Sequence, residues 1–153
     1  MIVGFHATKL VVADLGAAEA FYRAIGLRLV ARNEGGEGDV HQRQAWFSVS
    51  GDSRDHMLIL SQFPEAPAPP LPAWPGECWL AFNVADVEAL LAGAVAAGGR
   101  VLRAGEDRPE HGVRAAVICD PEGHVIEVVG PMLGASAPLA DPLAVGAAAR
   151  KRD

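Results

Sequence analysis

The string HVIEVV (124–129) sets a carboxylate, Glu127, in the middle of an apolar run. Strand alternation puts Val125, Glu127 and Val129 on one face. A carboxyl buried among such neighbours is suited to general acid or base work. An earlier string, HMLILS (56–61), matches it position for position but carries Ile59 where the later one carries the acid. The other candidates for chemistry are Lys9 and five histidines: His6, His41, His56, His111 and His124. No two of these form an HxH or HxxxH pair, so surface and turn roles are their default. His6 reads as a hydrogen-bonded ring beneath the first helix. His56 and His124 occupy matching places and are expected to share one structural job. No GxSxG is present and no cysteine stands beside a plausible histidine. EGGEG (34–38) lacks the lysine and following helix of a phosphate cradle, and reads instead as a mobile rim loop.

The elements that position these residues come in duplicate. VVADLGAAEAFYRAIGLRLVAR (11–32) and NVADVEALLAGAVAAGGRVLRA (83–104) align at a constant offset of 72, pairing Asp14 with Asp86 and Gly26 with Gly98. Each copy opens with an apolar strand (GFHATKLVV; CWLAFNV), then an Asp that can accept from the free N–H groups of a helix start. Leu15, Ala18, Tyr22 and Ile25 recur at helical spacing, as do Val87, Leu90, Leu91, Ala94 and Val95. Gly26 and Gly98 stand where a left-handed terminator is wanted. Three strands fit after each helix: LRLVAR, HQRQAWFSV and HMLILSQ, then RVLRA, VRAAVI and HVIEVV. DPEGH (120–124) makes the last turn. The expected organisation is a βαβββ module over 1–62, a Pro-rich connector over 63–77, a second module over 78–130 and a tail over 131–153. Residues 1–130 are taken as one compact domain.

At 153 residues, half of them hydrophobic and 21% charged, the chain can bury a sizeable core and does not read as disordered. A net charge of -6 argues against a grip on nucleic acid or on an anionic membrane. The start, MIVGFHATKLVV, lacks a signal-peptide pattern, and no apolar stretch is long enough to span a bilayer. Two cysteines, Cys78 and Cys119, make no framework; they read as buried, reduced thiols of a cytoplasmic protein.

Two βαβββ copies, with VADLGAAEAFYRAIGL (12–27) and DPEGHVIEV (120–128), resemble the vicinal oxygen chelate superfamily of glyoxalases, bleomycin-resistance proteins and extradiol dioxygenases. The likeness covers roughly residues 3–130. It implies an α+β fold: a curved eight-stranded mixed sheet forming an open cleft, helices outside, and a homodimer. In metal-dependent members, the first and last strands of each half send one ligand each into the cleft. The first-strand position lies seven residues before the helix-opening Asp, which gives Ala7 and Trp79. The last-strand positions fall on Ile59 and Glu127. His6 sits one place off, and alternation is expected to turn its ring away. One carboxylate does not make a metal site, so no cofactor is expected and a divalent metal is the fallback.

The inward set by alternation is Ala7, Lys9 and Val11; Met57, Ile59 and Ser61; Trp79, Ala81 and Asn83; and Val125, Glu127 and Val129, joined by either Trp46 or Phe47. Mostly apolar with a few polar groups, it suits a small-molecule pocket. Trp79 would stack a flat ligand or plug a redundant hole. Lys9 and Glu127, if they met, would form an internal ion pair. The leading expectation is a metal-free module binding an aromatic or amphipathic small molecule through Lys9, Trp46, Met57, Ile59, Trp79 and Asn83. The alternatives are a metal-free isomerase or lyase with Glu127 as proton shuttle, and a metal-dependent glyoxalase-like lyase or dioxygenase using displaced ligands such as His6.

Overall fold

The computed structural model describes residues 6–66 and 78–134. The chain divides into two compact units, Met1–Glu77 and Cys78–Asp153. The first contains β1 (Ala7–Val11), α1 (Leu15–Ala24), β2 (Arg28–Gly35), a single 3-10 turn at Gly38–Val40, β3 (Gln42–Ser48) and β4 (Met57–Gln62). The second contains β5 (Leu80–Asn83), α2 (Val87–Ala96), β6 (Arg100–Arg108), β7 (Val113–Cys119) and β8 (Val125–Gly130). The eight expected strands are thus present, hydrogen-bonded as two four-stranded mixed sheets in the orders β1-β4-β3-β2 and β5-β8-β7-β6. In each, the outermost first strand runs parallel to the last, and the other pairs are antiparallel. Of the expected connector, residues 67–77 lie outside the described residues, as does the tail from 135 onward.

Both helices start and stop as their sequences dictate. The Asp14 Oδ1 accepts from the Ala17 N–H at 3.0 Å, and the Asp86 Oδ1 accepts from the Ala89 N–H at the same distance. Such a cap stabilises a helix by about 1 kcal/mol. Gly26 and Gly98 take φ of 108° and 90°, the left-handed region that a β-carbon disfavours.

Alternation sets what each strand buries. Along β8, Ile126, Val128 and Gly130 are buried while Val125, Glu127 and Val129 point to the opposite face. α2 lays Val87, Leu91 and Ala94 against β6, β7 and β8. In the first unit Ala18, Phe21 and Tyr22 of α1 are buried, and the helix packs on β3 and β4. Burying each large apolar side chain contributes about 1.5–3 kcal/mol, and Phe21 and Tyr22 meet edge to face at 5.2 Å.

Three expectations are corrected here. Val95, grouped by spacing with the apolar positions of α2, is 53% exposed, because it lies to one side of the buried stripe of Val87, Leu91 and Ala94. Cys78 is exposed, although Cys119 is buried. EGGEG is not one loop: Glu34 and Gly35 finish β2, paired with Arg43 and Gln42, and the turn begins only at Gly38.

Candidate functional site

On the first sheet, β1, β4 and β3 bring Lys9, Ile59 and Trp46 into one row, since Lys9 and Trp46 are both register partners of Ile59. Ala7 pairs with Met57 and Val11 with Ser61, so Met57 and Ser61 flank that row. Ile59, Met57 and Ser61 are buried, whereas Lys9 is exposed. Phe47 pairs with Leu58 on the other face and is fully buried, so Trp46 is the aromatic of this surface.

A residue missed in the sequence organises the row. The Trp46 Nε1–H donates to Gln44 Oε1 at 2.9 Å, and Gln44 Nε2 donates to Ser61 Oγ at 3.1 Å and to Gln42 Oε1 at 2.7 Å. The chain of bonds fixes the indole against a buried amide, each polar atom finding its partner. The signal was available: Gln42, Gln44 and Trp46 share one parity in HQRQAWFSV.

His6 overturns its expectation. It precedes β1, outside the alternation that was to turn it away, and its ring meets Trp46 edge-on at 6.5 Å and 76°. It therefore stands on the Ile59 face, against an indole.

On the second sheet, Ala81, Glu127 and Val117 form the matching row, with Asn83, Val129 and Ala115 beside it. Trp79 lies just before β5 and is 48% exposed. Glu127 is exposed, contrary to the buried acid expected, because Ala81 and Val117 are too short to cover its head group. Offsets within the repeat match Lys9 to Ala81 and Ile59 to Glu127. The charge of the first row is a cation on its first strand, Lys9, and the anion of the second lies on its last strand, Glu127, with Arg103 beyond it as the register partner of Val117.

The four positions at which the superfamily pattern places metal ligands hold Ala7, Ile59, Trp79 and Glu127. Alanine and isoleucine have no donor atom, and the indole N–H only donates hydrogen bonds. Among the described residues no group of three or more His, Cys, Asp or Glu is placed to hold an ion. These residues do not fit a metal, which needs more than the one carboxylate they offer.

Two polar clusters lie outside the rows. The His41 ring stands 3.0 Å from Glu34 Oε1 and 3.2 Å from Glu65 Oε1, and Arg43 Nε donates to the same Glu34 oxygen at 3.0 Å. Arg43 first, and His41 second, hold the Glu34 carboxyl below its ordinary range. In the turn before β8, Asp120 Oδ1 accepts from the backbone N–H groups of Glu122, Gly123 and His124 at 2.8–3.0 Å, and His124 Nδ1 lies 2.8 Å from Oδ2. His56 instead places Nε2 3.0 Å from Thr8 Oγ1. The two matching histidines thus make different contacts here, His124 with the buried Asp120 and His56 with Thr8.

A family model described as the Glyoxalase/Bleomycin resistance protein/Dioxygenase superfamily matches residues 4–128, and the chain belongs to that superfamily. Among solved structures, a glyoxalase family protein from Bacillus cereus superposes with a TM-score of 0.70 at 21% identity, over 84% of this chain and 94% of that one. A glyoxalase I variant from Zea mays superposes with a TM-score of 0.64 at 20% identity, over 80% of this chain and 45% of the other. At such identities the likeness is one of fold. "Putative glyoxylase CFP32" of Mycobacterium bovis is 41% identical over 63 residues, which is 41% of this chain. That match spans about a quarter of the curated relative's length, 24%.

Proposed function

We propose that this superfamily member binds a small aromatic or amphipathic molecule without a metal, through residues drawn from Lys9, Trp46, Met57 and Ile59 of the first sheet and Trp79 and Asn83 of the second. The observation that carries the reading is the loss of donor atoms at Ala7, Ile59 and Trp79, with a half-exposed indole standing at one of those places. An exposed indole offers a flat apolar plate. The fixed Trp46 offers a second, and Lys9 and Asn83 supply polar contacts that orient a ligand. The protein is read as a cytoplasmic homodimer, the assembly that the superfamily resemblance implies.

A second reading is favoured by one observation: the immediate register neighbours of Glu127 are the small or aliphatic Ala81 and Val117. A carboxylate so placed can take a proton from a bound carbon or oxygen acid and return it, as an isomerase or lyase requires.

The test is a thermal-shift and tryptophan-fluorescence screen of small aromatic compounds, with metal analysis of the same preparation. A binder should quench the indole emission, lose at least about tenfold affinity in Trp79→Ala, and keep its affinity within about threefold in Glu127→Gln. Turnover that falls about 100-fold or more in Glu127→Gln with unchanged affinity would replace the first reading by the second. Stoichiometric metal needed for ligand binding would overturn both.

A further inference from the structure

The second-sheet row ends in a charge that no contact described so far engages. Across the sheet it runs Ala81, Glu127, Val117, Arg103, one residue from each of β5, β8, β7 and β6. Register partners project to one face, so the guanidinium and the carboxylate share the face opposite α2. Two strand spacings, about 9–10 Å, separate their Cα atoms. Among the described residues, Arg23, Arg32, Arg43, Arg54, Arg108 and Arg114 each stand in an ion pair with an Asp or Glu. Arg28 donates to the Ser50 carbonyl at 3.2 Å. Among those same residues Arg103 has no such partner, and neither has Glu127.

The repeat shows that this end of the row is a distinct place. At the offset of 72, Arg103 corresponds to Ala31, which closes the first-sheet row of Lys9, Ile59 and Trp46. Both ladders slip just before this residue, between Leu29 and Ala31 and between Val101 and Arg103. A bulge bends its strand and re-aims the side chain beside it. One unit puts a methyl group at the re-aimed place, and the other puts a guanidinium with no acid to hold it.

The neighbours decide what that guanidinium can hold. Val117 and, in the adjoining row, Val125 are half-buried and give the face an apolar floor. Trp79 stands one residue before β5 and Arg103 lies on β6. The two outer strands of this sheet are about 14 Å apart, so an exposed indole and a free guanidinium belong to opposite edges. The guanidinium is a planar fork that matches a carboxylate with two parallel hydrogen bonds. Glu127, between the edges, repels a ligand's acid group and so turns it toward β6.

We propose that this face takes an organic carboxylate with an aromatic or aliphatic body, gripped through its acid group by Arg103. The proposal names a ligand class for the small-molecule reading above and rests on that reading. The experiment titrates the full-length protein calorimetrically with phenylacetate, 3-phenylpropionate and indole-3-acetate, and with the neutral amide of each. At least one acid should bind about tenfold or more tighter than its amide, a preference that shrinks with added salt. Arg103→Gln should erase the preference, keep the amide's affinity within about threefold and leave the melting temperature unchanged. Arg108→Gln, on the same strand but paired with Glu106, should retain it. Val117 and Val125 methyl shifts should move as the acid binds. Acids and amides that bind equally, or an acid preference that survives Arg103→Gln, would overturn the proposal and leave the small-molecule reading standing. Acid-induced shifts confined to Met57 and Ile59 would do the same and assign the acid group to Lys9. Absence of binding by every acid and amide at about millimolar concentration would overturn both.

Discussion

Asp120 and Glu127 lie seven residues apart on one hairpin and do opposite things with the same functional group. Asp120 is fully buried and gathers three backbone N–H groups and the His124 ring about its two oxygens. Removing it leaves those donors without an acceptor, so Asp120→Ala should cost about 3 kcal/mol in chemical denaturation. Asp120→Asn keeps one acceptor oxygen and should cost distinctly less. A loss under about 0.5 kcal/mol for the alanine variant would show that water replaces the carboxylate. Glu127 gathers no such set of donors, and Glu127→Gln should leave stability nearly untouched in the same measurement.

At the scale of elements, the His41–Glu34–Arg43 cluster ties the end of β2 to the start of β3, with Glu65 reaching in from beyond β4. Glu34 is held below its ordinary value of 4.5 in the folded state. Its contribution to stability is therefore complete above about that pH and is lost as the pH falls through the lower folded value. Glu34→Gln should flatten the acid limb of the melting temperature against pH, and added salt should shrink the difference between the two proteins. Identical acid limbs would mean the cluster adds nothing.

Much of this level was legible beforehand. The Asp caps, the helix-ending glycines and the eight strands each follow from local rules: spare N–H groups, left-handed backbone, alternation. The direction of Glu127 was legible for the same reason. Its exposure was not, because that depends on the size of Ala81 and Val117, neighbours brought beside it only by strand pairing. His6 was misplaced because alternation was applied one residue before the strand begins, and Val95 because helical periodicity does not say how wide a stripe of the helix the sheet covers.

For the molecule as a whole, topology predicts where protection should concentrate. β3 and β4 in one sheet, and β7 and β8 in the other, each lie between two partners, while β1, β2, β5 and β6 are edges of these sheets. Amide exchange should therefore rank the two inner strands slowest within each unit and the outward-facing amides of the edge strands fastest. Edge strands as slow as the central ones would point to a further partner pairing with them. No described helix is long and apolar enough to cross a membrane.

The parallel pairing of β1 with β4 carries a consequence for how the chain comes into being. β2, β3 and β4 can zip together as successive hairpins while they emerge from the ribosome, but Ala7 has no ladder to join until Met57, about fifty residues later, is available. The opening strand is thus made first and seated last, and the same wait recurs for Leu80 until Ile126 arrives. During both intervals an unpaired segment travels with the nascent protein, which makes the two first strands the natural places for a chaperone to hold.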